Sequence, residues 1–198
     1  MKNKSWQTNT ETDVEDLDLE CPSSAISTTS SDFHSLRRSL FVTGGKKMVH
    51  LVYCDDKEKN LENILSGEKT MVVRGAMGRK IPHSRVFDGE ILYFMKRGTA
   101  KITAKAKVDS VQNYVKLSDN EITNIFASNQ ERLKLSDKEK QRWHKKCLCL
   151  VGFKDIETVK PLDFEHQGNM DDWLIIEKIE DVVVGTSVPY NYDKSKFK

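Results

Sequence analysis

The run LSGEKTMVVRGAMGRKI, residues 65–81, brings Gly67, Lys69 and Arg74 close together in the chain. These residue types suit an anion. Glycine lets the backbone approach a ligand closely, because it carries no Cβ. Lysine is a compact point charge, and arginine offers a planar fork for a phosphate or a base edge. Arg79, Lys80, His83 and Arg85 follow at once, and Lys101, Lys105 and Lys107 come later. If all of these share one rim, a nearly neutral chain acquires the electrostatic footprint of a nucleic-acid binder. The competing reading is an ordinary solvated face, with strand lysines guarding an edge against aggregation. His83 is a candidate general acid–base group or simply an exposed loop histidine. Stacking partners for bases are few nearby: Phe87, Tyr93 and Phe94. Trp173 is a candidate cleft wall or a core tryptophan. Cys147 and Cys149 read as buried thiols rather than metal ligands, since no second Cys/His pair has zinc-site spacing. Asp171 and Asp172 are expected to cap a turn or pair with loop cations.

The elements that must position these groups follow from hydrophobic period. VHLVYC, 49–54, reads as a strand. Asp55 with Glu58 has the spacing of a capping box for a helix carrying Leu61, Ile64 and Leu65, and Gly67 stands where a left-handed stop belongs. KTMVVR, 69–74, is short and β-branched, so a strand is expected, with Lys69, Met71 and Val73 on one face and Thr70, Val72 and Arg74 on the other. Residues 75–85 form a Gly- and Pro-containing loop, and EILYFM, 90–95, is a further strand. Residues 100–111 alternate strictly, with Ile102, Ala104, Ala106 and Val108 inward and the lysines outward. Ser118 with Glu121, and Ser136 with Glu139, predict two capped helices, the second carrying Trp143. CLCLVGF, 147–153, reads as a buried strand, and 172–185 as a strand or short helix followed by a last strand. The expected class is α+β, a small, partly open β-barrel of five to six strands with short flanking helices.

The chain has 198 residues, of which 37% are hydrophobic and 31% charged, which suits a globular domain with some disordered sequence. The expected organisation is an N-terminal extension over 1–47, a folded domain over 48–185 and a flexible tail over 186–198. The Ser/Thr tract within 1–47 has too little apolar surface to offset its ordering entropy. Two readings of 1–47 stand: a disordered tail, or sequence lying upstream of a native start at Met48, which GGKK precedes as a ribosome-binding site would at the codon level. No apolar run approaches the ~20 residues of a membrane span. Four cysteines without a secretory signal point to free thiols and a cytoplasmic setting. The net charge of +2 alone argues no partner. There is no P-loop, G-x-G-x-x-G or G-x-S-x-G, and no cofactor is expected.

ILSGEKTMVVR, VFDGEILYF, KITAKAKVDSV and GNMDDWLIIEKIEDV together resemble the ASCH family of the PUA-like superfamily, over about residues 48–184. The family signature G-x-K-x-x-E-x-R is matched by Gly67, Lys69 and Arg74, with Val72 in place of the glutamate. The resemblance implies a small barrel with a cleft at this motif that binds RNA or a nucleotide. Some relatives are amidohydrolases that deacylate modified cytidine with a lysine, a threonine and a glutamate, and one is a ribonuclease. By this resemblance Lys69 takes the lysine position, and the threonine position is Val72, which has no hydroxyl to attack a carbonyl. Thr70 is the alternative nucleophile, one pleat away, and Glu90 is the nearest acidic residue. The expectation is therefore an RNA- or nucleotide-binding module without that acyl transfer. The alternatives are a small hydrolase using Lys69 with Thr70 or water, and a basic face that meets an acidic protein partner.

Overall fold

The computed structural model describes residues 47–166, 168 and 172–191. The expectations for residues 1–46 and 192–198 lie outside the described residues. Six strands form one sheet in the order β2-β5-β4-β3-β1-β6. Their ranges are β1 Val49–Cys54, β2 Met71–Ala76, β3 Ile91–Lys96, β4 Lys101–Tyr114, β5 Cys147–Asp163 and β6 Trp173–Ile176. The helices are α1 Asn60–Leu65, α2 Asp119–Leu133 and α3 Asp137–Trp143, with a short 3₁₀ turn at Ile179–Val182. β1 runs parallel to β3, and every other neighbouring pair is antiparallel.

The sheet curls, and its register shows how. β4 and β5 slip against each other after Ile102, Lys105 and Val108, and β3 slips against β4 after Phe94. Each such bulge adds local right-handed twist and bends the strand. The two outermost strands come to face each other, so that Arg74 on β2 lies 5.6 Å from the Trp173 ring on β6. The gap between these edges is bridged by side chains rather than by a backbone ladder. Arg74 Nη2 donates across it to the Tyr53 carbonyl of β1 at 3.1 Å. This is the partly open, six-stranded barrel with short helices that the sequence predicts.

The barrel interior holds Val52, Val72, Phe94, Val108, Phe153 and Trp173 among others. A second apolar layer lies outside, where Ile122, Phe126 and Leu133 of α2 cover Met71, Val73, Leu148 and Leu150. Residues 147–153 are therefore buried on both faces, which is why that run shows no polar alternation. Val72 faces the interior while Met71 and Val73 face α2, so β2 alternates as expected from Met71 onward. Both capping boxes form: Glu121 N–H donates to Ser118 Oγ at 3.4 Å and Glu139 N–H to Ser136 Oγ at 3.3 Å. Gly67 has φ +78°, the predicted left-handed stop after α1.

Three expectations are corrected. Asp55 caps no helix: its carboxylate accepts from Lys57 N–H at 3.1 Å in an Asx turn, and α1 begins only at Asn60. β5 does not end at Phe153 but continues to Asp163, because its polar second half pairs with the outer half of β4. Residues 186–191 are tied to the domain, with Val188 N–H donating to the Asp181 carbonyl at 3.0 Å and Ile175 N–H to Tyr190 Oη at 3.4 Å. Among the described residues, no helix is long and apolar enough to cross a membrane.

Candidate functional site

A hollow of about 240 Å³ opens at the seam between β1 and β2, under α3. Its floor is a polar cluster drawn from three places in the chain. Lys69, in the link before β2, donates from Nζ to Asn60 Oδ1 at 2.6 Å. Asn60, the first residue of α1, donates from Nδ2 to Glu139 Oε1 at 2.8 Å. Lys69 Nζ lies 3.8 Å from the same Glu139 oxygen. The other Glu139 oxygen closes the α3 capping box by accepting from Ser136 N–H at 3.2 Å. One carboxylate thus holds a helix end and orients an ammonium. Lys69 is 3% exposed, and its burial pulls its pKa below the ordinary lysine value, with the Glu139 carboxylate acting the other way.

Arg74 forms one wall. Its guanidinium carbon lies 5.0 Å from the Trp143 ring centroid and 5.6 Å from that of Trp173, both within cation–π range. Nη1 donates to the Val73 carbonyl at 2.9 Å and Nη2 to the Tyr53 carbonyl, while Nε is buried with no hydrogen-bond partner among the described residues. Burial lowers the Arg74 pKa, and Asp172 opposes that shift. An arginine held between two rings cannot swing away, so its remaining N–H groups keep one orientation. At the mouth, Asp172 pairs with Arg97 at 2.8 Å and with Arg142, and Arg142 also reaches Asp55 at 3.4 Å.

Behind Trp173 runs a buried relay. Trp173 Nε1–H can only donate, and it does so to His50 Nδ1 at 3.2 Å. The His50 proton therefore sits on Nε2, which donates to Glu90 Oε2 at 2.8 Å. Burial by itself would raise the Glu90 pKa. Hydrogen bonds from His50 and from the Phe87 and Met48 N–H groups outweigh it and hold that pKa below the ordinary carboxylate value. The relay fixes the rotation of the Trp173 ring against Arg74.

A smaller hollow, about 140 Å³, lies on the far side of Arg74 and is lined by Gly75, Gly78, Lys80, His83 and Trp173. Arg74, Trp143 and Asp172 are walls of both hollows. Gly75 allows this arrangement, because a Cβ there would come within 2.5 Å of the Trp143 carbonyl oxygen. His83 is 5% exposed rather than a free loop side chain. Its Nε2 donates to the Tyr114 carbonyl at 3.2 Å, and its Nδ1 accepts from Ser84 Oγ at 2.8 Å. Burial lowers its pKa, so the neutral ring is favoured.

Of the residues singled out in the sequence, Lys69, Val72, Arg74, Lys80, His83, Cys147, Asp172 and Trp173 are among those that line these hollows. Trp173 is both a wall and core, at 2% exposure. Gly67 is exposed and serves the helix end, and Arg79, Arg85 and Phe87 line neither hollow. Lys101, Lys105 and Lys107 are not brought to the site. They lie along β4, where Lys101 pairs with Asp163 at 2.7 Å and Lys105 with Glu157 at 2.9 Å on β5. The expected merging of two cationic segments is thereby corrected: Lys101 and Lys105 find acidic partners on β5, and Lys107 lies on the same strand opposite Lys154. Lys69 is likewise no free point charge, because it is buried and held by Asn60. It also departs from the expected strand face: the strand begins two residues later, and Lys69 enters the hollow together with Val72 and Arg74. Thr70 turns the other way, and its Oγ1 accepts from Arg132 Nε at 3.2 Å. Asp172 pairs with cations rather than capping a turn, and Asp171 lies outside the described residues.

Sequence reading missed Asn60, Arg97, Arg142 and the second role of Glu139. One signal was present: a capping-box glutamate commits one oxygen to its own helix end and leaves the other for a partner. Cys54 also lines the larger hollow, but burial pushes its thiol to about 12, so it is no thiolate at neutral pH. Cys147 and Cys149 are both buried. Among the described residues, no three His, Cys, Asp or Glu side chains group as a metal site.

No protein-family model matches this chain, and no curated protein matches it. Solved structures of an ASCH protein from Zymomonas mobilis are similar to it. One covers 57% of this chain and 71% of its own at 10% identity, with a TM-score of 0.44. A serine-to-alanine variant covers 60% and 75% at 11% identity, with a TM-score of 0.46. A tyrosine-to-phenylalanine variant covers 58% and 75% at 11% identity, with a TM-score of 0.44. These are likenesses of fold, and no residue role passes from them to this chain.

Proposed function

We propose that this chain is an RNA- or nucleotide-binding module whose ligand enters the hollow between α3 and the β1–β2 seam. One observation carries the reading: Arg74 stands clamped between Trp143 and Trp173 above a buried Lys69, so a cation fork, an ammonium and aromatic surface converge on one concavity. An anionic or acceptor-rich planar ligand meets all three. Aromatic and arginine planes take unstacked bases, and the charges take phosphate or carbonyl oxygens. Covalent acyl transfer lacks a nucleophile here, since Val72 has no hydroxyl, Thr70 is turned to Arg132, and the Cys54 thiol is protonated.

Fluorescence polarisation of a labelled ten-nucleotide single-stranded RNA of mixed sequence, in a salt series, tests this. The expected result is micromolar binding that weakens steeply with salt. Arg74→Lys, which keeps the charge but loses the planar fork, should weaken it about tenfold. RNA retention that ignores both salt and Arg74→Lys would refute the reading. It would leave the acidic-protein-partner alternative to be tested by pull-down.

A second reading is favoured by the buried Lys69 itself. An ammonium whose pKa is lowered by burial, set beside Glu139, can shuttle a proton to and from a water molecule. That would make the chain a hydrolase of an acylated nucleoside, with water as the nucleophile. Incubation with acetylated cytidine followed by chromatography decides it. Turnover that disappears in Lys69→Met supports the enzyme, and absence of turnover removes it.

A further inference from the structure

The larger hollow does not end at Arg74, because the smaller one begins on the other side of the same guanidinium. We infer that the smaller hollow is a second subsite for the same ligand. The ligand class is then a single strand bound as at least two linked nucleotides, one unit in each hollow, with the joining phosphate at Arg74. This rests on the proposed RNA reading and adds the length and register of the ligand.

Three observations support it. First, the shared wall is a cation. In a nucleotide chain, successive nucleosides are separated by one negative phosphodiester, so a cation between two hollows matches that alternation. Two hydrogen bonds of Arg74 go to the Val73 and Tyr53 carbonyls, which leaves one N–H on each of Nη1 and Nη2 for a ligand oxygen. Second, the carboxylate on that shared wall, Asp172, is held by Arg97 and Arg142, so its charge is compensated and does not face a phosphate alone. Third, each hollow has a cation of its own besides the shared Arg74. The larger has Lys69 and the smaller has Lys80, beside Gly75 and Gly78, and Trp143 lines both. A duplex does not fit this layout, because its bases are paired and stacked inward and cannot enter separate hollows.

The test is competition against the labelled ten-nucleotide RNA. The competitors are an equimolar mixture of the sixteen dinucleoside monophosphates and an equimolar mixture of the four 5′-mononucleotides. The dinucleotide mixture should compete about tenfold better per molecule, the effect of one added stacked base. Gly78 lines only the smaller hollow, has ordinary backbone geometry and has no atoms near its Cβ position, so Gly78→Trp can fill that hollow without straining the fold. In Gly78→Trp the dinucleotide advantage should vanish while mononucleotide competition stays as in wild type. If wild type holds the RNA but dinucleotides compete no better than mononucleotides, the second subsite is wrong and the site reading stands. The second subsite is also wrong if Gly78→Trp weakens both mixtures equally. If wild type does not hold the RNA at all, the site reading fails and the inference falls with it.

Discussion

Replacing Lys69 separates what the polar floor does for stability from what it does for binding. At the 3.8 Å between Lys69 Nζ and Glu139 Oε1, an effective dielectric near 20 gives an attraction of about 4 kcal/mol. Lys69→Met removes that attraction and leaves a nearly buried carboxylate, and Asn60 Oδ1 loses its donor. Breaking a buried pair from one side costs about 3–5 kcal/mol. For a domain of this size that corresponds to a melting temperature lower by roughly 10 °C. Lys69→Met/Glu139→Gln removes both charges and keeps an acceptor for Asn60 Nδ2, so it should recover most of the loss. RNA binding should not recover, because the ammonium is still missing. The pH dependence has a definite sign. Burial lowers the Lys69 pKa from the ordinary 10.5, so between those two values the folded chain binds fewer protons than the unfolded one. Stability contributed by this group therefore rises with pH across that window, and the rise should be absent from Lys69→Met. Thermal melts at neutral and alkaline pH, paired with polarisation titrations, give all of these quantities. A Lys69→Met protein that melts like wild type, or a double variant that regains RNA binding along with stability, would refute the reasoning.

Gly75→Ala places a Cβ 2.5 Å from the Trp143 carbonyl oxygen, so the end of α3 must shift. We expect about 1–3 kcal/mol of destabilisation in urea melts, together with weaker RNA binding as Trp143 leaves Arg74. Glu90→Gln should be less stable than wild type at neutral pH. Its deficit should shrink as pH falls below 4.5 and through the depressed Glu90 value, because wild type then loses the stability its paired carboxylate supplies; urea midpoints at pH 7, 4 and 3 measure this. Cys54 and Cys149, both pushed to about 12 by burial, should escape iodoacetamide at pH 8 in the native protein and be labelled once it is unfolded, as read by mass spectrometry.

Local information was legible in the sequence. The capping boxes at Ser118 and Ser136, the left-handed stop at Gly67 and the inward alternation from Ile102 to Val108 depend on backbone conformation and side-chain period over a few residues, and the chain spells these out directly. The same local reading found Lys69 and Arg74 because one precedes and the other lies within a short strand beside a helix end. It failed for β5 beyond Phe153, where only pairing with β4 holds a polar run extended. Tertiary structure alone decided the rest. Asn60 meets Glu139 across 79 positions, and His50 meets Trp173 across 123. Strand order and bulge-driven curling bring the two edge strands face to face, and no short-range pattern encodes that closure. The same closure buries Lys69, clamps Arg74 between rings from α3 and β6, and leaves Lys101 and Lys105 of β4 paired with Asp163 and Glu157 on their neighbour strand. The sequence thus named the charged groups, and the curl of the sheet selected which of them share a cavity.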